Sequence, residues 1–120
     1  MKRQIRLSLE VVTETAHKIP GHPTCGRLHG HSYRIGISLS GIHDSRDGMF
    51  VDFGKIKTIV RRFDHFYLND VFKFPSAENL ARYLAIKILR INRNILECTV
   101  TVYETETACA TQSVVNPLIQ

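Results

Sequence analysis

The chain has 120 residues, of which 43% are hydrophobic and 22% are charged. This length and balance predict one soluble domain over residues 1–120 with a modest core, without linkers or repeats. The apolar runs are too short to span a bilayer and the N-terminus carries no secretion signal, so we expect a cytoplasmic protein without a membrane partner. The net charge of +5 comes from scattered basic residues, which argues against a nucleic-acid partner.

The first third of the chain alternates apolar and polar residues with a period of two, the pattern of strands with one buried face. The apolar set of the first predicted strand is Ile5, Leu7, Leu9 and Val11. That of the second strand is Tyr33, Ile35, Ile37 and Leu39. The stretch "DSRDG" at 44–48 is a turn signal that leads into "MFVD". A strand hairpin is therefore predicted here.

Two helices are predicted next. Asp52 can cap the first helix, and its apolar stripe is Phe53, Ile56, Val60 and Phe63. Ser76, after Pro75, can cap the second, and its stripe is Leu80, Leu84, Ile88 and Ile91. Residues 95–115 are rich in β-branched side chains and predict a closing hairpin. The order ββααββ therefore predicts an α+β domain, a four-stranded antiparallel sheet with both helices on one face.

The stretch "CGRLHGHSY" at 25–33 contains the main candidate site. His29 and His31 share the phase of Tyr33, so both imidazoles are expected on one face. Residues two apart on a strand lie roughly 6.5–7 Å apart, which one zinc ion can bridge. His17, at the end of the first strand, is a third candidate ligand. A His-x-His pair alone is often structural, but three histidines with an open fourth position are typical of catalytic zinc.

Cys25 allows three interpretations. As a fourth ligand it would close a structural zinc site, although zinc-finger cysteines usually come in close pairs, and Cys98 and Cys109 lie in the far hairpin. As a free thiol beside a cationic metal it would suit a general base or nucleophile. It could also be a small buried residue. Two further histidines, His22 and His43, fall in predicted loops and are interpreted as exposed and uninvolved.

Two acidic segments add candidate partners. Asp64 and His65 follow the first helix, and an Asp beside an imidazole can set its tautomer and raise its basicity, although such neighbours are common by chance. Glu104 continues the buried phase of Cys98, Val100 and Val102 in the first strand of the closing hairpin. A carboxylate at the end of a buried face needs hydrogen-bonding partners, so Glu104 is a candidate to receive N–H groups of a ligand. Glu106 is the alternative if the register slips.

Six segments in this order resemble the 6-pyruvoyltetrahydropterin synthase family over nearly the whole chain: "TAHKIP", "CGRLHGHSY", "GMFVDF", "FDHFYLN", "PSAENLA" and "VTVYET". Three residues separate Cys25 from "HGH", as in the bacterial 6-carboxy-5,6,7,8-tetrahydropterin synthases of the queuosine pathway. The animal pyruvoyl-forming enzymes have five there. The resemblance is therefore greater to the carboxy-forming branch.

The resemblance implies the tunnelling fold (T-fold), assembled as a homohexamer of two stacked trimers with active sites between subunits. It implies a zinc-dependent lyase that converts 7,8-dihydroneopterin triphosphate to 6-carboxytetrahydropterin, acetaldehyde and triphosphate. The implied roles are zinc ligands for His17, His29 and His31, catalytic base for Cys25, proton relay for Asp64 and His65, pterin anchor for Glu104, and pocket lining for Ser76. Lys18 and Arg27 are candidates to contact the triphosphate.

The chain departs from the family pattern in two places, and two alternatives stay open. Thr13 and Thr15 stand where relatives often have an aromatic and small residues, and Phe66 stands where close relatives can carry a second histidine.

The nearer alternative is a pyruvoyl-forming synthase acting on the same substrate. The alternative of another class is a zinc-stabilised binding module with Cys25 as a fourth ligand, in which loss of Cys25 releases zinc and unfolds the chain.

Overall fold

The computed structural model describes residues 2–43 and 48–117. The strands are β1 (Arg3–His17), β2 (His29–His43), β3 (Phe66–Tyr67), β4 (Ile95–Tyr103) and β5 (Cys109–Val115), and the helices are α1 (Phe53–Arg61) and α2 (Ala77–Leu89). A 3₁₀ turn covers Leu68–Asp70. The strand order in the sheet is β3-β1-β2-β4-β5. The α+β class and the predicted sequence of long elements are confirmed.

The prediction of four antiparallel strands is wrong in one respect. Among the described residues the sheet has five strands, because β3 pairs in parallel with Thr15 and Ala16 of β1. A strand of two residues contains no alternation long enough to read from a sequence. This short pairing brings the segment that follows α1 against the end of β1.

β1 and β2 form the predicted hairpin, and it is longer than expected. They pair antiparallel over fifteen residues, from Arg3 opposite His43 to His17 opposite His29. Odd-numbered side chains of both strands point into the core, and burial in β2 alternates from Tyr33 onward. Positions 44–47 of the predicted turn lie outside the described residues.

The expectation that His43 is an exposed loop residue is wrong. β2 continues four residues past Leu39 in the same phase, which turns His43 inward as the last residue of the strand. His43 is 8% exposed and packs edge-to-face on Phe50, with ring centroids 5.8 Å apart. His22, the other histidine given this interpretation, is exposed as expected.

Both predicted helix caps are present. The Asp52 side chain accepts the N–H of Gly54 at 2.8 Å, and Ser76 Oγ accepts that of Asn79 at 3.2 Å. The predicted stripes pack on the sheet, except that Phe53, the first residue of α1, is 45% exposed. A spacing of three and four residues does not reveal how far the packed face extends at a helix end.

One core lies between the helices and the inward face of the sheet. Cys98 is buried there, and burial raises the pKa of its thiol to about 12. No helix in the described ranges is long and apolar enough to cross a membrane.

Candidate active site

Three histidines converge where the β1–β2 ladder ends. His17 and His29 are cross-strand partners, and His31 lies two residues further along β2, opposite Thr15. One ring nitrogen from each histidine lies within 4.8 Å of the other two. His17 is buried, whereas His29 and His31 are half-buried. Residues 2–43 and 48–117 contain no other group of three or more side chains arranged to hold a metal ion. We call His17, His29 and His31 the histidine cluster.

Backbone carbonyl groups orient these imidazoles. His17 Nδ1 lies 2.7 Å from the carbonyl oxygen of Pro75, and His29 Nδ1 lies 2.6 Å from that of Arg27. These carbonyl groups orient two of the three rings. An imidazole that donates Nδ1–H to a carbonyl keeps a lone pair on Nε2. This is the usual arrangement of a metal-binding histidine, whose second nitrogen is held by a carbonyl or carboxylate.

The nitrogen atoms of the cluster fit a metal ion. His17 Nε2 and His29 Nε2 lie 2.9 Å apart. If both rings donate from Nδ1, these two atoms are acceptors facing each other, which is unfavourable unless a proton or a cation lies between them. His31 Nε2 is buried without a hydrogen-bond partner. Three imidazoles are the donor set of many catalytic zinc sites, and they also suit copper, iron and nickel.

Burial lowers the pKa of His17 and His31, because desolvation disfavours the charged imidazole. The hydrogen bond to Pro75 opposes this shift in His17, and the negative charge of Glu104 opposes it in His31. The net direction keeps both rings neutral, and a neutral imidazole is the form that binds metal.

Tyr33 connects the histidine cluster to Glu104. Its side chain is fully buried, and its ring stacks on His31 with centroids 5.1 Å apart. Its hydroxyl lies 3.3 Å from His17 Nδ1 and donates to Glu104 Oε1 at 3.4 Å. Burial, and then the charge of Glu104, raise the pKa of this hydroxyl. Sequence reasoning counted Tyr33 only as a core residue. The sequence signal that could have pointed to a role in the site was a tyrosine hydroxyl on the buried face, two residues after His31.

Glu104 follows β4 and lines a cleft of about 340 Å³ next to His31. The carboxylate is half-buried, and the backbone N–H of Glu104 donates to the carbonyl of Ala108 at 3.1 Å. Glu106 lines the same cleft but is exposed in the turn before β5. The structure therefore brings Glu104, the first of the two alternatives, next to the histidine cluster.

Cys25 lies in the loop between β1 and β2 and is not part of the histidine cluster. The residue is half-buried. Its carbonyl accepts the N–H of Ile19 at 2.7 Å, and its own N–H donates to His22 Nδ1 at 2.9 Å. The metal-binding group does not include the thiol, which argues against Cys25 as a fourth ligand.

Asp64 and His65 form a pair that does not join the histidine cluster. Asp64 Oδ1 accepts the N–H of Glu14 at 2.9 Å, and Asp64 Oδ2 lies 3.1 Å from His65 Nδ1. The hydrogen bond from Glu14, and then His65, lower the pKa of Asp64. His65 has a positive φ of 55°, and its side chain is 81% exposed. The predicted relay pair is thus assembled, but it is turned toward solvent.

The other predicted site residues are Ser76, Lys18 and Arg27. Ser76 caps α2 directly after Pro75, whose carbonyl holds His17. The backbone of Lys18 exchanges hydrogen bonds with the Asn69 side chain, at 2.9 and 3.0 Å. Arg27 is exposed. None of these contacts assigns a triphosphate site.

Comparison with known proteins decides the family. The family model described as 6-pyruvoyl tetrahydropterin synthase matches residues 6–113. The chain belongs to this family. A putative 6-carboxy-5,6,7,8-tetrahydropterin synthase of Archaeoglobus fulgidus is 34% identical over 84 residues, 67% of this chain and 72% of the relative. The 6-carboxy-5,6,7,8-tetrahydropterin synthase of Rickettsia typhi is 27% identical over an alignment of 134 positions, which covers 85% of this chain and 95% of the relative.

Solved structures of the 6-pyruvoyl tetrahydropterin synthase family share the fold. The Caenorhabditis elegans 6-pyruvoyl tetrahydropterin synthase matches with a TM-score of 0.74 at 23% identity, over 93% of this chain and 96% of that one. The Plasmodium vivax protein of the same name matches with a TM-score of 0.71 at 22% identity, over 94% and 99%. The predicted family and tunnelling fold are confirmed. Family membership also supports the prediction of a lyase that acts on a pterin.

Proposed function

We propose that this protein is a zinc-dependent 6-carboxy-5,6,7,8-tetrahydropterin synthase of queuosine biosynthesis. The reaction converts 7,8-dihydroneopterin triphosphate and water to 6-carboxy-5,6,7,8-tetrahydropterin, acetaldehyde and triphosphate. The observation that carries the proposal is the histidine cluster, with Glu104 beside it and Cys25 in the adjoining loop. The relatives named 6-carboxy-5,6,7,8-tetrahydropterin synthase and the three-residue spacing between Cys25 and His29 support the carboxy product.

His17, His29 and His31 would hold the zinc ion and leave a fourth position open. When bound, zinc would supply a Lewis acid that polarises side-chain hydroxyl groups of the substrate and stabilises negative charge on oxygen. The contribution of the protein is to keep His17 and His31 neutral by burial and to fix the direction of His17 and His29 through backbone carbonyls.

Cys25 is the proposed base that removes a proton from a side-chain carbon of the substrate. A thiolate close to a cationic site is a suitable acceptor for this proton. Both backbone groups of Cys25 are engaged in hydrogen bonds, so its side chain starts from a defined position. Precise placement of a base is itself a large part of catalysis.

Glu104 is the proposed anchor of the pterin ring. Its carboxylate receives the Tyr33 hydroxyl on Oε1, which leaves acceptor capacity for N–H groups of a ligand in the adjoining cleft. Ser76 is proposed to line the pocket while it caps α2. Lys18 and Arg27 are the proposed contacts of the triphosphate.

Asp64 and His65 are proposed to return protons to the substrate at the site of a neighbouring subunit in a homohexamer of two trimers. The high exposure of His65 supports a target outside its own chain. The outer position of β5 in the sheet supports assembly, since an unpaired strand edge tends to be covered by another strand or element.

The second candidate is the pyruvoyl-forming reaction on the same substrate. The solved structures named 6-pyruvoyl tetrahydropterin synthase, with TM-scores of 0.74 and 0.71, favour it. Both reactions use the same pterin and the same type of site, so the product is the deciding measurement.

The test is to incubate the purified, zinc-loaded protein with 7,8-dihydroneopterin triphosphate and identify the products by mass spectrometry. Acetaldehyde with a carboxypterin supports the proposal, and a pyruvoyl product supports the second candidate. Absence of turnover overturns both.

Cys25→Ala separates the enzyme from a zinc-stabilised binding module. We expect bound zinc and the fold to be retained while turnover falls by about 10²- to 10⁴-fold, the usual contribution of a general base. Cys109→Ser, a change of an exposed thiol in β5, is the control. Loss of zinc and unfolding in Cys25→Ala would favour the binding module.

A further inference from the structure

His22, outside the histidine cluster, contacts the loop segment that carries Cys25. His22 Nδ1 lies 2.9 Å from the backbone nitrogen of Cys25, 3.2 Å from that of Thr24 and 3.3 Å from Thr24 Oγ1. Nδ1 of a neutral imidazole has one lone pair, so these three contacts compete for a single acceptor. The shortest contact is the one from the Cys25 N–H. The imidazole therefore accepts chiefly the amide proton of Cys25.

The backbone of His22 closes the same turn. Its N–H donates to the carbonyl of Ile19 at 3.2 Å, and its carbonyl accepts the N–H of Gly26 at 3.1 Å. Ile19 in turn donates to the carbonyl of Cys25 at 2.7 Å. A Cβ at position 26 would meet the His22 carbonyl oxygen at 2.5 Å, so only glycine permits this closure. Cys25 is thus held by its N–H, by its carbonyl and by the residue that follows it.

The proton arrangement of His22 is opposite to that of the histidine cluster. His17 and His29 have Nδ1 against backbone carbonyls, where it must donate. His22 has Nδ1 against backbone N–H groups, where it must accept, and its proton is on Nε2. His22 is also exposed and absent from the histidine cluster. Its geometry is that of a side chain that caps a turn.

We propose that His22 is a positioning residue, which holds the Cys25 thiol in place beside the histidine cluster by accepting the Cys25 N–H. The inference rests on the proposed role of Cys25 as the catalytic base. The sequence interpretation of His22 as uninvolved is replaced by this role. Displacement of a catalytic group by about 1 Å can cost a factor of about 10² in rate, so the loss of one turn contact has a measurable effect.

The experiment compares His22→Ala with His22→Asn in the zinc-loaded protein. The asparagine Oδ1 can accept a hydrogen bond close to where Nδ1 does, whereas alanine cannot. We expect His22→Ala to lower kcat by about 10- to 100-fold, with KM and bound zinc unchanged. We expect His22→Asn to restore most of the loss. Leu28→Ala, which changes a 61% exposed side chain of the same loop and leaves the Cys25 N–H bond intact, is the matched control; Thr24 is unsuitable, because its hydroxyl lies 3.9 Å from Cys25 Sγ.

A second readout does not depend on turnover. Cys98 is protected from alkylation by burial, and Cys109→Ser removes the exposed thiol. In this background the rate of alkylation by iodoacetamide therefore reports Cys25. We expect this rate to change at least several-fold in His22→Ala and to return toward the parent value in His22→Asn. If His22→Ala does not fold, His22→Gln replaces it, because the longer side chain places its oxygen beyond the position of Nδ1.

Two outcomes overturn the proposal. One is a folded His22→Ala protein with the kcat and alkylation rate of the parent. The other is a His22→Asn protein that stays as impaired as His22→Ala, because the acceptor would then be irrelevant. If the parent protein itself shows no turnover, the proposed function fails, while the alkylation series still decides the role of His22.

Discussion

The histidine cluster and the Asp64–His65 pair contrast in how the chain holds them. The cluster is inward, and the rings of His17 and His29 are held by the carbonyl groups of Pro75 and Arg27. The pair lies at the surface, and within the described ranges the His65 side chain has Asp64 as its hydrogen-bond partner. β1 serves both regions: its side chain at position 17 enters the cluster, and its backbone at Glu14 bonds both members of the pair.

The difference shows which part of the site one chain can complete. The converging nitrogen atoms of one buried and two half-buried imidazoles come from a single chain. Within the described residues the exposed Asp64–His65 pair does not join the histidine cluster of its own chain, which is why we propose a target at a neighbouring subunit. Four changes test this contrast, from the largest expected effect to the smallest.

His29→Ala should abolish metal binding and lower turnover by about 10³-fold or more. Loss of a Lewis acid removes several kcal/mol of transition-state stabilisation, and each 1.36 kcal/mol is about a factor of ten. The measurement is metal per chain by elemental analysis, together with kcat. His65→Ala is the matched control for metal content and should retain the ion. A His29→Ala protein with a full complement of metal would contradict the assignment of the cluster.

His65→Ala should lower kcat by about 10²-fold without loss of metal, because general acid–base catalysis contributes about 10²- to 10⁴-fold. The measurement is steady-state kinetics of the zinc-loaded protein. Lys57→Ala, a change at an exposed position on α1, should have the parent rate. If a mixture of His65→Ala and His29→Ala chains is more active than either variant alone, the pair acts across subunits. Parent kcat in His65→Ala would remove the pair from the mechanism.

Asp64→Asn should reduce kcat by about tenfold, a smaller loss because His65 remains present. Asparagine can still accept the N–H of Glu14 through its oxygen, but it removes the negative charge 3.1 Å from His65 Nδ1. The measurement is steady-state kinetics of the zinc-loaded protein. Parent kcat in Asp64→Asn would show that Asp64 only holds the turn.

The smallest expected effect is on the stability of the metal-free protein. The pKa of His17 and that of His31 are lowered by burial below the ordinary value of 6.5. As pH falls below 6.5, the unfolded chain binds protons before the folded chain does, so stability is complete above this pH and declines below it. Urea unfolding at several pH values after chelation measures the slope. His31→Gln should flatten the slope, and Lys57→Ala, a change at an exposed position on α1, should leave it unchanged.

Sequence periodicity predicts the long elements because burial on one face imposes alternation on strands and a stripe on helices. It places the histidine cluster, since strand phase alone puts His29 and His31 on the face of Tyr33. It misses β3, which is too short to alternate, and it ends β2 too early, which misplaces His43 in a loop. The alternation of apolar and polar residues does not by itself show where a strand ends.

The contacts that orient the site residues depend on tertiary structure. The carbonyl groups of Pro75 and Arg27 have no signature in a sequence, since every residue has one. The role of His22 depends on the closure of a loop, and the hydrogen bond between Tyr33 and Glu104 joins residues 71 positions apart. Chemistry that uses backbone atoms or distant pairs therefore has to be found in the structure.

The histidine cluster marks one alignment of the β1–β2 ladder. Ile, Leu and Val side chains occupy alternate positions from Ile5 to Val11 in β1 and from Ile35 to Leu39 in β2, so a slip by two residues would keep most of the same faces buried. Such a slip would separate His17 from His29, which are cross-strand partners only in the native pairing. A bound ion would therefore distinguish one alignment of the hairpin from others that the apolar side chains tolerate almost equally.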